Sequence, residues 1–406
     1  MPLSETDLLP RWQRPEALLY LMAAAMPLSF ATWSALLNNF VIEVAAFTGK
    51  EIGWLHTVRE IPGLLAVVVI VILLAMREQI LALLMLVLLG AATAVTGWFT
   101  SFNGLLVMTL LSSIGFHYFE TVNQSLQLQW IDKARAPVVL GRIVAVGAGA
   151  SLAAYAAIVA LWDALSLDYN TVYLASGGVT IALALFAAWA FPQFQAPHAQ
   201  HRHMVLRRRY WLYYALQFMA GARRQIFVVF AGFMMVERFG MKVSEMTLLL
   251  LCNYLINMAV APTMGRALGR YGERNVMGFE YIGLTLVFLA YGGLYWFGWG
   301  IVIAGGLYIL DQLFFALSFS LKTYFQKIAD PRDIAPTAAV AFTINHIAAV
   351  FLPAGLGYLW ATSPDYVFVL GAGMALFAFG LICLIPRHPE PGNETVFSRA
   401  LPQTAE

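Results

Sequence analysis

Long apolar runs, broken by short polar punctuation, set the pattern of this 406-residue chain. A helix rises about 1.5 Å per residue, so about twenty apolar residues cross a hydrocarbon layer about 30 Å thick. Runs of that kind predict spanning helices over 17–45, 52–75, 79–99, 104–127, 139–162, 170–191, 210–237, 243–264, 275–296, 300–325, 337–360 and 366–386. Only Arg77, Glu78 and Gln79 divide the second from the third. The longest connection, FPQFQAPHAQHRHMVLRRR from Phe191 to Arg209, lies mid-chain, and no connection is long enough for a soluble domain. The expected organisation is an all-α membrane protein. A six-helix bundle over 1–191 is followed by a cytoplasmic central loop over 192–209. A second six-helix bundle with a short cytoplasmic tail takes 210–406.

Composition agrees. Hydrophobic residues make up 61% of the chain and charged residues 11%, against about 25% charged in soluble domains. The mean hydropathy is +0.74. So little polar surface cannot cover a globule in water, and lipid is the fitting solvent. A net charge of +2 gives no reason to expect nucleic acid. Cys252 and Cys383 each lie in an apolar stretch, which argues against a disulfide framework. Met1 to Arg14 has neither a basic stretch nor a small-residue cleavage site, so no cleaved signal peptide is expected. With short loops, this fits a bacterial cytoplasmic membrane.

Lysine and arginine placement sets the expected orientation. With the N-terminus cytoplasmic, only Lys50, Arg238 and Lys242 fall outside, and Arg59, Arg223, Arg224 and Lys322 fall within spans. The rest of the 24 basic residues fall at the inner face, which predicts both termini there. The halves also echo each other. FTGK (Phe47 to Lys50) is answered by FGMK (Phe239 to Lys242), and DKARAP (Asp132 to Pro137) by DPRDIAP (Asp330 to Pro336). Such weak internal symmetry is what two related bundles show.

Polarity within the runs recurs every third helix. The first carries Asn38, Asn39 and Glu43. The fourth carries His117, Glu120, Asn123, Gln124 and Gln127. The seventh has Gln217, Arg223, Arg224 and Gln225, and the tenth has Asp311, Gln312 and Lys322. The third, sixth and twelfth carry almost nothing beyond Ser and Thr, and the ninth only Glu280, near its start. Ionisable groups in hydrocarbon are expensive unless they face a cavity or a partner. Helices one, four, seven and ten are therefore expected to line a wet space, and three, six, nine and twelve to face lipid.

Over essentially its whole length the chain resembles the major facilitator superfamily of secondary transporters. MGRALGRYGERN (Met264 to Asn275) looks like the family's cytoplasmic signature G-x-x-x-D-R-x-G-R-R. Gly265, Arg270, Gly272 and Arg274 match; Gly269 stands where the acid is usual and Glu273 where the first basic residue is. The copy usual between helices two and three is replaced by AMREQ, and the fifth helix lacks the Gly-Pro of the drug–proton antiporters. The resemblance implies two pseudo-symmetric six-helix bundles, alternating access, and a gating role for Arg270 and Arg274.

Several residues stand out as candidates. Arg223 and Arg224 lie near mid-span and stay charged. Adjacent helix positions point about 100° apart, so one can face a cavity while the other ties the helix to a neighbour. Arg224, on the same face as Gln217, is favoured for the cavity. A guanidinium suits a carboxylate or phosphate; the alternative is an internal network with Glu120 and Asp311. Those two acids are candidate proton carriers, or else permanent salt-bridge partners of the arginines. Asn38, His117, Gln124, Gln217, Asn345 and His346 are candidate solute contacts. Bundle hydrogen bonding explains the two histidines equally well. His56, Arg59 and Glu60 are expected at a gate.

No metal or cofactor is expected. His198, His201 and His203 read as loop residues, and Met22, Met26, Met234, Met235 and Met246 as packing. Trp33, Trp54, Trp98, Trp296, Trp299 and Trp360 read as an interfacial belt. No GxxxxGK[ST], HExxH, GxSxG or CxxC is present, so an enzyme is not expected. The expectation is a monomeric secondary transporter of a small solute, an organic or inorganic anion, coupled to protons. The rivals are an efflux pump for hydrophobic or cationic compounds and a non-transporting assembly factor or sensor.

Overall fold

In a computed structural model, residues 8–131, 135–194, 206–330 and 333–398 are described. His198, His201 and His203, and Asp132, Lys133 and Ala134 of DKARAP, lie outside them. Apart from short turns and one isolated β-bridge, the described chain is helical.

The first half supplies α1 (Pro15–Glu43), α2 (Gly49–Leu64), α3 (Val68–Ile72), α4 (Glu78–Val95), α5 (Phe102–Trp130), α6 (Ala136–Leu161) and α7 (Tyr169–Ala190). Local chemistry fixes the starts. Pro15 sits in the first turn of α1, where its missing N–H costs nothing. Ser101 caps α5 by accepting from Gly104 N at 3.2 Å. Asp168 caps α7 by accepting from Thr171 N at 2.7 Å, a bond that holds its carboxyl below the usual range. The second predicted span is not one continuous helix. It breaks between α2 and α3, just after Pro62-Gly63, a pair of helix breakers.

The second half supplies α8 (Trp211–Gln225), a π-helical turn (Ile226–Ala231), α9 (Gly232–Glu237), α10 (Val243–Trp296), α11 (Ile301–Ala316), α12 (Phe319–Ile328), α13 (Ile334–Trp360) and α14 (Pro364–Ile382). A straight helix of 54 residues would be about 80 Å long, far beyond a bilayer. α10 is instead two arms joined at Gly272, whose φ of 75° and ψ of 166° are non-helical. Glycine reaches that φ without a Cβ penalty. The tenth predicted span also breaks, into α11 and α12. There Leu317 N and Ser318 N bond to carbonyls three residues back, and the Ser320 hydroxyl takes the Leu317 carbonyl at 2.7 Å.

Ten helices among the described residues are long and apolar enough to cross a membrane. The chain forms two compact units: Met1–Thr48 with Val58–His201 and Gly240–Leu251, and Gly49–Thr57 with Arg202–Phe239 and Cys252–Glu406. In the first unit α4 packs on α5 and α7, and α1 on α6 and α7. In the second, α8 packs on α13 and α14. Exposed apolar side chains line α7 (Leu185, Phe186, Trp189), the second arm of α10 (Phe279, Ile282, Leu286) and α14 (Leu376, Phe377), as lipid contact requires.

Two tryptophans leave the expected belt. Trp360 is buried, stacked on Phe230, and donates Nε1 to Glu237 at 2.8 Å. Trp33 is buried in the first unit.

Candidate functional site

In the second unit the polar chemistry gathers around Arg223. Its side chain is 1% exposed and donates Nη2 to Glu280 Oε1 at 3.3 Å. Its guanidinium also lies 5.3 Å from the Tyr281 ring centroid and 5.4 Å from that of Phe315. Asp311 is within electrostatic range of Arg223 and is equally buried. Neither Asp311 oxygen has a hydrogen-bond partner among the described residues, and Glu280 Oε2 has none either. Tyr291 and Tyr308 lie within range of Asp311. Gln225 is fully buried, at the residue before the π turn, and neither amide atom has a hydrogen-bond partner among the described residues. Such turns are common at functional sites.

Glu280 thus corrects the expectation for helix nine. Only one face of that arm is apolar and exposed. Glu280 sits on the other, among buried Val276, Met277, Tyr281 and Leu284. Its signal in the sequence is an acid inside an apolar run, close to the run's start.

The remaining candidates of this unit are spread along α8 and α13. Arg224 is half-buried. Gln217 donates Nε2 to Tyr213 Oη at 3.1 Å, and its carbonyl accepts from Asn345 Nδ2 at 3.2 Å. His346 Nδ1 meets the Phe342 carbonyl at 2.8 Å, with its ring against Phe342.

At the motif, Arg270 is exposed over the Tyr271 ring and Arg274 is half-buried. Glu273, which replaces the usual base, is buried and pairs with Lys327 at 2.8 Å. Beyond the spans, Asp333 accepts from Arg207 Nε, Arg209 Nη2 and the Tyr210 hydroxyl, each at 3.1 Å. Those bonds, the Arg207 one foremost, hold its carboxyl below the ordinary range and hold Arg207 above its own.

In the first unit, Arg59 Nε donates to Glu60 Oε1 at 3.1 Å, and its guanidinium lies 5.6 Å from the Trp33 centroid. The Ser113 hydroxyl donates to the Arg59 carbonyl and meets His117 Nδ1 at 2.9 Å. Phe30 stacks on Phe116 at 4.5 Å, and Phe116 meets the His117 ring edge-on. α1, α2 and α5 therefore bring Trp33, Arg59, Glu60 and His117 into one cluster. Gln124 is exposed and donates to Glu120 at 3.2 Å, one turn away on the same helix face. The Asn38 side-chain oxygen Oδ1 is buried with no hydrogen-bond partner among the described residues.

The family model for the Major Facilitator Superfamily matches residues 17–353. The chain belongs to the major facilitator superfamily. Members are membrane transporters, so this one is an integral membrane transporter and not an enzyme. Solved members share its fold at low identity. A variant of the nucleoside transporter NupG aligns with TM-score 0.75 and 13% identity, covering 91% of this chain and 99% of that one. A D-xylose-proton symporter gives 0.71 and 10%, covering 95% and 99%. A bacterial homologue of the iron transporter ferroportin gives 0.69 and 11%, covering 91% and 97%. At such identities the likeness concerns the fold alone. No curated protein sequence matches the chain.

Proposed function

We propose that this superfamily member is a proton-coupled secondary transporter. It moves a small solute, an organic or inorganic anion, by alternating access between two six-helix halves with both termini in the cytoplasm. It works as a monomer in a bacterial cytoplasmic membrane. One observation carries the proton coupling: a single buried guanidinium, Arg223, stands against two buried carboxylates, and only Glu280 is hydrogen-bonded to it. Arginine stays charged, and uncompensated charge away from water is costly. The group is neutral when it holds one additional proton.

Asp311 carries that proton, Arg223 is its counter-charge, and Glu280 ties Arg223 in place. Glu120 is a second carrier. Arg224, half-buried beside this group, contacts the solute. Asn38, His117, Gln124, Gln217, Asn345 and His346 supply polar contacts, and Arg59, Glu60, Arg270 and Arg274 act at gates. A D-xylose-proton symporter among the proteins of similar fold fits this reading.

The test is flux in proteoliposomes across a panel of labelled anions, sugars and nucleosides under an imposed pH gradient. The expected result is uphill accumulation of an anion that Asp311→Asn abolishes while solute exchange at equilibrium persists. Uphill accumulation by Asp311→Asn rules out the assigned proton carrier. Intact transport and solute range in both Arg223→Ala and Arg224→Ala rules out the anion reading.

A further inference from the structure

The tenth predicted span exposes two chemistries along its length. In α11 the exposed residues are Ile301, Val302, Ile303, Gly306 and Leu310, all compatible with lipid. In α12 they are Lys322, Gln326 and Lys327, flanked by half-buried Ser318 and Thr323. The other face of α12 is packed, with Leu321, Tyr324, Phe325 and Ile328 buried. Lys327 is answered by Glu273. Lys322 makes no hydrogen bond or ion pair among the described residues. Its backbone lies six residues before Ile328, about 9 Å inside the helix end. Exposed Lys322 and Gln326 at that depth, continued by half-buried Ser318, suit water and not hydrocarbon.

Packing on α8 fixes the level of Lys322. The Tyr210 hydroxyl, at the start of α8, accepts from Asp330 N, just past the end of α12. Three residues further along α8, Tyr213 stacks on Phe325, with centroids 4.2 Å apart and planes 14° apart. Residue numbers rise on one helix as they fall on the other, so the pair is antiparallel. Lys322 is therefore level with Gln217, and Arg224 stands seven residues beyond, about 10 Å further in.

We propose that Lys322 is a second solute-facing cation, which with Gln217 and Arg224 forms a polar ladder for the anionic oxygens of a small carboxylate or phosphate. This rests on the anion reading above and adds a residue and a second charge at a different depth. The division of labour follows from chemistry. A lysine ammonium is a compact, hydrated charge on a flexible stem, suited to capture. A guanidinium binds a planar carboxylate or phosphate edge at two points. A phospholipid headgroup offers the same anionic oxygens, and the experiment separates it from a soluble anion.

The experiment labels Lys322→Cys in a Cys252→Ser, Cys383→Ser background, in open membrane fragments where both surfaces meet the reagent. Two impermeant thiosulfonates are used, one anionic and one cationic. Both are expected to react, the anionic one about tenfold faster, with the excess lost in Arg224→Gln. Inorganic phosphate or a dicarboxylate slows the reaction, and replacing anionic by neutral lipid leaves it unchanged. Labelling only by a lipophilic maleimide overturns the proposal, because Lys322 then faces lipid. A rate set by anionic lipid content and indifferent to both soluble anions overturns it too. Should Lys322→Cys not fold, Gln326→Cys reads the same exposed row.

Labelling needs no proton coupling, so the outcome is independent of the Asp311→Asn result. In flux, Lys322→Gln raises the KM for the anion about tenfold with kcat kept, as loss of one charge-assisted contact implies, and Lys322→Arg restores it. An unchanged KM in Lys322→Gln overturns the solute contact.

Discussion

Arg223 is a buried, permanently charged side chain tied down by one neighbour. Glu280 is its hydrogen-bonded partner, both are 1% exposed, and Asp311 stands within electrostatic range. Removing one member of a buried ion pair costs about 3–5 kcal/mol, while replacing both by apolar groups is often neutral. Arg223→Met should therefore lower the thermal unfolding temperature in detergent far more than Arg223→Met combined with Glu280→Leu. Equal unfolding temperatures for the two would mean that the pair contributes no coupling energy. The arginines were conspicuous in the sequence because a permanently charged side chain inside an apolar run demands an explanation. The identity of the partner was not legible. Arg223 and Glu280 are 57 residues apart, and which faces of two helices meet depends on their rotation about their own axes. A hydropathy pattern records the apolar face of each helix, not its facing in the bundle. Trp33 shows the same limit, since an aromatic residue in an apolar run suits an interface or a core equally well.

Breaks in helices follow rules that are only partly local. The Pro62-Gly63 pair and Gly272 are visible in the sequence as breakers. The π turn over Ile226–Ala231 falls in an ordinary apolar stretch, and no residue there announces it. α13 shows how a helix can be adjusted from outside. Pro353 lies within it and disturbs the preceding turn. The Thr57 hydroxyl donates to the Val350 carbonyl at 2.8 Å and accepts from Ala354 N at 3.1 Å, so it bonds both members of one i,i+4 backbone pair. One turn earlier on α2, a Cβ on Gly53 would meet the Pro353 carbonyl, so the close approach requires glycine there. Thr57→Val keeps the shape and removes the hydroxyl. It should speed amide exchange at Ala354 about fivefold, the worth of one ordinary hydrogen bond, and Thr57→Ser should not; equal exchange in all three proteins would show that the hydroxyl carries no stability. The start of α13 carries a pH-dependent tie as well. Asp333 has a lowered pKa, caused first by its bond to Arg207. A depressed carboxylate stabilises the fold above its unfolded pKa of about 3.9 and loses that contribution as pH falls through the folded value. Unfolding temperatures of the native protein and Asp333→Asn should differ by a constant amount near neutrality and converge in acid. A gap that persists in acid would assign the difference to packing.

At the scale of the whole chain, the compact units do not follow the two halves of the sequence. Gly49–Thr57 belongs with the second unit and Gly240–Leu251 with the first, so α2 itself is divided between them. Features set by length and charge, which are local properties, were legible in the sequence. The exchanged segments were not, because they rest on pairings far apart in sequence. Asn39 Nδ2 reaches the Met241 carbonyl 202 residues away, at 2.7 Å, and Thr57 reaches Val350 across 293. A half chain of residues 1–201 therefore lacks Gly240–Leu251, and its α2 starts without the α13 residues that Gly49, Gly53 and Thr57 pack on. Backbone polar groups in a segment deprived of its packing are open to water and to proteases. Limited proteolysis read by mass spectrometry should find cuts at 49–57 in the fragment alone. The same segment should be protected in the intact protein, and again when residues 202–406 are co-expressed. A whole protein cut within 195–205 after membrane insertion serves as the control for failed insertion, since its α2 has already found its partner. If 49–57 is as resistant in the lone fragment as in that cut protein, the first half holds this segment by itself, and the division of α2 between the units has no energetic weight.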